Sequence, residues 1–157
     1  ATAQLDFNQP ERFGLEYAAA DGTKQRPVMV HRAILGSIER FAGIIIEHYA
    51  GAFPIWLSPV QVKILAVNDA LADAAWKFAR ELRAAGVRVA VDDDAATIGA
   101  KVRRSETEKV PLSIVFGQKE VDGGALQVRV SGSKEPMVMT AKEFAAYILK
   151  ASTERSA

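Results

Sequence analysis

Two apolar runs in the middle of the chain, Val60–Val67 and Val87–Val91, constrain its fold more than any other feature. Between them Leu71, Ala75, Phe78 and Leu82 recur at a helical period, Asp69 stands at an N-cap position, and Gly86 ends the pattern. A strand, a helix and a strand joined in this way form a βαβ unit, with a right-handed crossover and parallel strands. Parallel strands of unbroken apolar character are buried on both faces, so the expected class is α/β with helices on two sides of a sheet.

The flanking segments extend this pattern. Thr97–Glu108 reads as a shorter helix in which charge outnumbers the apolar Ile98 and Val102, leaving one face wet. Pro111–Phe116 reads as a strand, Asp122-Gly123-Gly124 as a turn, and Ala125–Val130 as an alternating strand that points Arg129 away from the core. Thr140 and Glu143 form a capping box for a last helix carrying Phe144 and Ile148, and the polar tail after Ala151 is expected to fray. Upstream, Ala1–Phe7 reads as a strand punctuated by Asn8-Gln9-Pro10. Asp21-Gly22 reads as a hairpin turn between Phe13–Tyr17 and Pro27–Leu35, and Ser37 caps a helix that Gly51 ends. The whole is a mixed, mostly parallel sheet flanked by helices, preceded by a small antiparallel strand-and-helix unit, with domains at 1–58 and 59–157. Because residue 1 opens directly on a strand pattern, the chain is expected to be a piece of something larger.

Bulk composition narrows the function. A net charge of +1 over 157 residues is not the basic excess of a general nucleic-acid binder, so any RNA contact must come from local clustering. The absence of cysteine excludes disulfides and thiol nucleophiles and fits a cytoplasmic location. No run approaches the roughly 20 apolar residues of a membrane span. No strand is followed by a Gly-rich phosphate loop, which argues against a nucleotide-binding α/β domain.

A more specific signal is the segment Pro27-Val28-Met29-Val30-His31-Arg32-Ala33-Ile34-Leu35-Gly36-Ser37-Ile38-Glu39-Arg40-Phe41. It resembles motif 3 of the class II aminoacyl-tRNA synthetases, and Tyr49–Val62 continues the similarity into an anticodon-binding domain. Gln4-Leu5-Asp6-Phe7, Val110-Pro111, Gly117-Gln118-Lys119-Glu120 and Val128-Arg129 extend the resemblance over essentially the entire chain, and threonyl-tRNA synthetases match best. This implies a class II anticodon-binding domain behind the end of a class II catalytic domain. It also implies a parent enzyme that activates threonine with ATP and transfers it to tRNA(Thr). Motifs 1 and 2 are not found, so the chain alone is expected to be inactive.

Several residues then acquire candidate roles. Arg40 lies in the first turn of its helix, where the positive dipole end disfavours a cation. The resemblance places the matching guanidinium across ATP, whereas the plainer alternative is an ion pair with Glu39 or Glu47. Gln4 resembles a residue lining the aminoacyl and adenosine pocket; by itself it reads as a solvent-facing strand residue. His31 interrupts the apolar run Val28–Ile34, and a lone strand histidine is most often structural. The resemblance makes His31 one of three protein ligands to a zinc that holds threonine. The only other histidine is His48, so ATP with Mg and one Zn belong to the complete enzyme, and neither is expected to bind this chain tightly.

For RNA, the resemblance assigns Glu120 and Arg129 to anticodon bases, and Lys101 and Lys109 join Arg103 and Arg104 in a basic cluster. Ala95 replaces the common Asn and Lys109 the frequent Arg, so one base-edge amide and one bidentate fork are expected to be missing. Charge pattern alone favours a solvated helix face balanced by Asp92–Asp94, Glu106 and Glu108. The implied partners are the tRNA(Thr) anticodon stem-loop, the remainder of the catalytic domain and a second copy of a homodimeric parent. The competing reading is a noncatalytic RNA-binding accessory or regulatory module.

Overall fold

The computed structural model describes residues 2–133 and 135–155. By packing it divides into two units, Ala1–Glu47 and His48–Ala157. The first carries β1 (Thr2–Asp6), α1 (Asn8–Arg12), β2 (Tyr17–Ala18), β3 (Lys24–Gln25), β4 (Met29–Ala33) and α2 (Ile38–His48), whose last residue opens the second unit. β1 and β4 pair antiparallel, with Gln4 opposite His31 and Leu5 opposite Val30. Ala1, at the head of the predicted first strand, lies outside the described residues.

Three details of this unit differ from expectation. Asn8-Gln9-Pro10 is a helical turn, because Asp6 Oδ1 accepts the backbone N–H groups of Asn8 and Gln9 at 2.9 and 3.0 Å. Pro10 sits in its first turn, where a missing N–H costs nothing. The Asp21-Gly22 turn forms, held by Asp21 Oδ1 accepting from Thr23, but its arms are the short β2 and β3, while the long apolar run returns to β1.

The second unit carries β5 (Val62–Ala66), a 3-10 turn (Asp69–Leu71), α3 (Ala72–Ala84), β6 (Val89–Asp92), α4 (Ile98–Thr107), β7 (Leu112–Phe116), α5 (Gln118–Val121), β8 (Leu126–Val130), β9 (Met137–Met139) and α6 (Ala141–Glu154). Its sheet runs β6-β5-β7-β8-β9, with β5 parallel to β6 and β7, and β8 and β9 antiparallel. The sheet is thus divided between parallel and antiparallel pairing. The crossovers carry α3 and α4 to opposite faces. Asn68, not Asp69, is the cap, and it caps the 3-10 turn ahead of α3, accepting from Leu71 N–H at 3.1 Å. Thr140 and Glu143 complete the expected capping box of α6. That helix continues to Glu154 instead of fraying after Ala151, with Ser156 and Ala157 outside the described residues.

Side chains alternate across the sheet, and this alternation makes its two faces chemically different. Ile64, Ile114 and Val128 lie in one row and pack with Ala75, Ala79, Phe144 and Ile148 in the core. Full burial of each such aliphatic side chain stabilises by about 1.5–3 kcal/mol. The adjacent row, Lys63, Ser113 and Arg129, faces the other way, toward α4. The connector before β5 is tied to this unit. Arg88 donates to the carbonyls of Ser58 and Trp56 at 2.9 and 2.8 Å, and Gln61 donates to Ile55 O at 2.9 Å.

Candidate functional site

The polar face of the second unit holds the RNA candidates. Arg129 stands opposite Ser113 on β8, is exposed, and places Nη2 3.7 Å from Glu106 Oε1 on α4. Glu120 follows β7 on α5, not on a strand end as expected. Its Oε2 accepts the Gly117 N–H at 2.9 Å. Gly124 makes this turn possible, since a Cβ there would meet the Lys119 carbonyl oxygen at 2.6 Å.

The Glu120 carboxylate sits at the turn after β7, and the residue lines a hollow with Ala74, Phe78, Phe116 and Leu126, whereas Arg129 meets Glu106 of α4. A Cβ on Gly117 would lie 3.3 Å from Glu120 Oε2 and 3.4 Å from Val67 Cγ2. By alternation, Val67 continues the Lys63 side of β5, and Gly117 the Ser113 side of β7. Gly117 stands four positions beyond Ser113, so Glu120 and Arg129 mark places roughly 13 Å apart along the strand direction. They are neither paired nor buried together. The Glu120 end is also where β5 and β7 diverge in strand order, the switch-point crevice at which open α/β sheets take their ligands.

The basic cluster on α4 is a correction to the sequence reading. Lys101 is 1% exposed, and its Nζ donates to Ala66 O at 2.8 Å and Asp92 O at 3.3 Å. A side chain in that position makes no direct RNA contact. Lys101 falls three residues after Ile98 and four before the buried Ser105, on the inward stripe of the helix, and that spacing was the signal in the sequence.

The other cations of the cluster are largely engaged. Arg104 donates to Asp94 Oδ2 at 2.6 Å and Asp92 Oδ1 at 3.0 Å, and the Asp94 carboxylate raises its already high pKa. Lys109 has a positive φ of 54° at the end of α4, and its ammonium donates to the Ala50 carbonyl. Lys63, 8% exposed, bonds Glu108 Oε2 at 2.5 Å. Arg103 is exposed, and among the described residues it forms no ion pair. The face is an acid–base lattice from which Arg129 and Arg103 emerge.

In the first unit, register places Gln4 beside His31, and Asp6 on the same strand face lies within reach of the histidine. His31 Nε2 lies 2.9 Å from Asp6 Oδ2, a partner the sequence reading missed. The Gln9 backbone N–H and His31 hold the Asp6 carboxyl below the usual carboxylate range. Arg40 donates its backbone N–H to Ser37 Oγ at 3.2 Å, and among the described residues its guanidinium forms no ion pair. No group of three or more His, Cys, Asp or Glu is placed to hold a metal among the described residues. The donor set therefore does not fit a complete zinc site.

The sequence matches two family models, the tRNA synthetase class II core domain (G, H, P, S and T) over residues 1–49 and the anticodon binding domain over residues 61–151. The chain is 55% identical to a threonine–tRNA ligase of Finegoldia magna over 82% of its length, and 47% identical to that of Fusobacterium nucleatum over 97%. It spans 20% and 25% of those relatives, respectively. A crystal structure of the RNA-binding domain of threonyl-tRNA synthetase from Cryptosporidium parvum superimposes with a TM-score of 0.78 at 34% identity, covering 94% of this chain and 38% of that one.

Proposed function

The chain belongs to the anticodon binding domain family, with the end of a class II tRNA synthetase core ahead of it, and we propose from this premise that it supplies anticodon-loop recognition and the motif 3 part of the ATP site to a threonine–tRNA ligase. In that enzyme the threonine carboxylate attacks the α-phosphate of ATP and pyrophosphate leaves; a hydroxyl of the terminal ribose of tRNA(Thr) then attacks the threonyl carbonyl, and AMP leaves with the mixed-anhydride oxygen. Arg40 is assigned to phosphate or adenine by its place in the motif 3 segment, and its side chain is exposed. Gln4 lines the same pocket. His31 offers one nitrogen toward a zinc whose other ligands lie on the rest of the core, and this chain by itself holds neither ATP with Mg nor Zn tightly.

The observation that carries the RNA reading is the exposed Arg129 on β8, with Glu120 held at the turn after β7 by its bond to the Gly117 N–H. Two polar readers roughly 13 Å apart address different nucleotides of a splayed loop, since one hydrogen-bonded base edge spans far less. Lys109 and Lys101 serve this face from behind, by holding α4 and the strand ends in place. The partner is the tRNA(Thr) anticodon stem-loop.

The first unit supports attachment to a larger core over a free-standing accessory role. Leu5 and Val30, partners on one face of the β1–β4 pair, are 61% and 60% exposed. The remainder of the catalytic domain covers that face, in a homodimeric parent.

Nuclear magnetic resonance of the chain titrated with the tRNA(Thr) anticodon stem-loop tests the reading. The amides of Gly117, Glu120, Gln127 and Arg129 are expected to shift together. Shifts confined to the first unit would contradict it.

A further inference from the structure

The segment that leaves α2 turns sharply at Tyr49-Ala50-Gly51-Ala52, closed by the Ala52 N–H donating to the Tyr49 carbonyl at 2.9 Å. Both central residues have positive φ, 49° at Ala50 and 77° at Gly51. A turn of that kind suits Asn or Gly at its first central position, and an alanine there is strained by its own Cβ. The Lys109 ammonium holds the turn from outside by donating to the Ala50 carbonyl, and the Lys109 Cδ lies 3.5 Å from the place a Gly51 Cβ would take. Lys109 has a φ of 54°, so two of the three non-glycine residues with positive φ among those described meet in one hydrogen bond.

Further along, the connector is fastened differently. Its Ile55, Trp56 and Ser58 carbonyls accept from Gln61 and Arg88, and Gln61 is 1% exposed. That end is built into the unit, whereas the Lys109 end is one bond from an exposed residue. Charge decides what can break it. Lys63, Arg104 and Arg129 each face a carboxylate, but Lys109 forms no ion pair among the described residues and gives its charge to a neutral carbonyl. An anionic oxygen makes a shorter and stronger bond to an ammonium than a carbonyl does. Lys109 also stands between Glu106 and Val110, both of which line the hollow beside Arg129, so phosphates laid along that face come within range of its long stem.

We propose that Lys109 is a phosphate-operated latch. In the free chain its ammonium holds the Ala50 carbonyl and with it the strained turn. An RNA phosphate at the end of α4 takes the ammonium, and the turn relaxes while Gln61 and Arg88 keep the far end of the connector in place. The inference rests on the anticodon reading above and goes beyond it, because it gives RNA binding a consequence at the exit of the helix that carries Arg40.

The test is amide hydrogen exchange of the full chain, followed by nuclear magnetic resonance with and without a saturating tRNA(Thr) anticodon stem-loop. Fluorescence anisotropy against an unrelated stem-loop verifies selective binding. Ala52 is the reporter amide, and Ser58, whose N–H donates to the Pro54 carbonyl at 3.0 Å, is the internal control for an intact unit. RNA is expected to speed Ala52 exchange about tenfold and to leave Ser58 unchanged. Lys109→Met should speed Ala52 by the same factor in the free chain and abolish the further effect of RNA, whereas Lys109→Arg, which keeps a cation, should restore both the protection and the response. Ala50→Gly removes the strain and should shrink the response to RNA. If the stem-loop binds selectively yet Ala52 exchange is unchanged or slower, the latch is overturned while the anticodon reading stands. Full Ala52 protection in free Lys109→Met overturns it as well. If the unaltered chain fails to distinguish its stem-loop from the unrelated one, the anticodon reading itself fails, and the latch with it.

Discussion

The Lys101 ammonium lies 2.8 Å from the carbonyl oxygen of Ala66, inside the molecule, and also reaches Asp92 O at 3.3 Å. One side chain of α4 thus closes the carboxyl ends of β5 and β6. Lys101→Met keeps most of the buried stem but leaves the carbonyls without their donor. A loss of about 2–4 kcal/mol is expected from two buried polar groups left unsatisfied. Urea denaturation measures it, and an unchanged midpoint would show that water replaces the ammonium without loss.

The capping box of α6 predicts a pH effect with a definite sign. Glu143 Oε2 accepts from Thr140 N–H at 2.8 Å and from Thr140 Oγ1 at 2.9 Å, and these bonds lower its pKa from the ordinary 4.5. A depressed folded-state pKa contributes stability that is complete above the unfolded value and is lost as pH falls through the folded one. Thr140→Ala removes the hydroxyl donor and should move the Glu143 pKa up toward 4.5 in a carboxyl-carbon titration. No movement would mean that the hydroxyl does not stabilise the carboxylate.

What could be read from the sequence follows from which signals are local. The βαβ unit, the Thr140 cap and the outward direction of Arg129 come from periodicity and short-range capping, and the structure has each of them. The partner of the long run Pro27–Leu35 and the strand β9 depend on non-local pairing, which residue patterns do not encode. The α4 cations are the instructive case. Charge pattern describes a wet basic face, yet Lys101 sits on the inward stripe, because two strand-end carbonyls await a donor there. The Asp6–His31 and Glu106–Arg129 pairs escaped notice for the same reason, since each joins residues distant in sequence.

The two units should differ sharply in local stability. The second contains the buried cluster around Ile64, Ile114 and Phe144, whereas Pro10 is the only buried residue among those described in the first. Amide hydrogen exchange on the full chain is predicted to protect β5 and β7 strongly and to leave β1 and β4 exchanging fast. Equal protection of β1 would mean that the first unit is stabilised without the rest of a core domain.

Zinc binding gives a second check on the division of labour. His31 has Asp6 at 2.9 Å, but no third ligand stands near among the described residues. Equilibrium dialysis should therefore find well under one zinc per chain, unchanged by His31→Ala. A stoichiometric, His31-dependent zinc would contradict the claim that the remaining ligands lie elsewhere.

The central claim is that Arg129 and Glu120 of the second unit read the loop of a particular tRNA. Its most direct measurement is a titration of the chain against tRNA(Thr) and an unrelated tRNA over a range of salt concentrations. The account predicts tighter binding to tRNA(Thr) at every salt concentration, with Arg129→Ala erasing the difference while changing the salt slope by no more than about one phosphate contact. Equal affinity of the unaltered chain for both RNAs would contradict it.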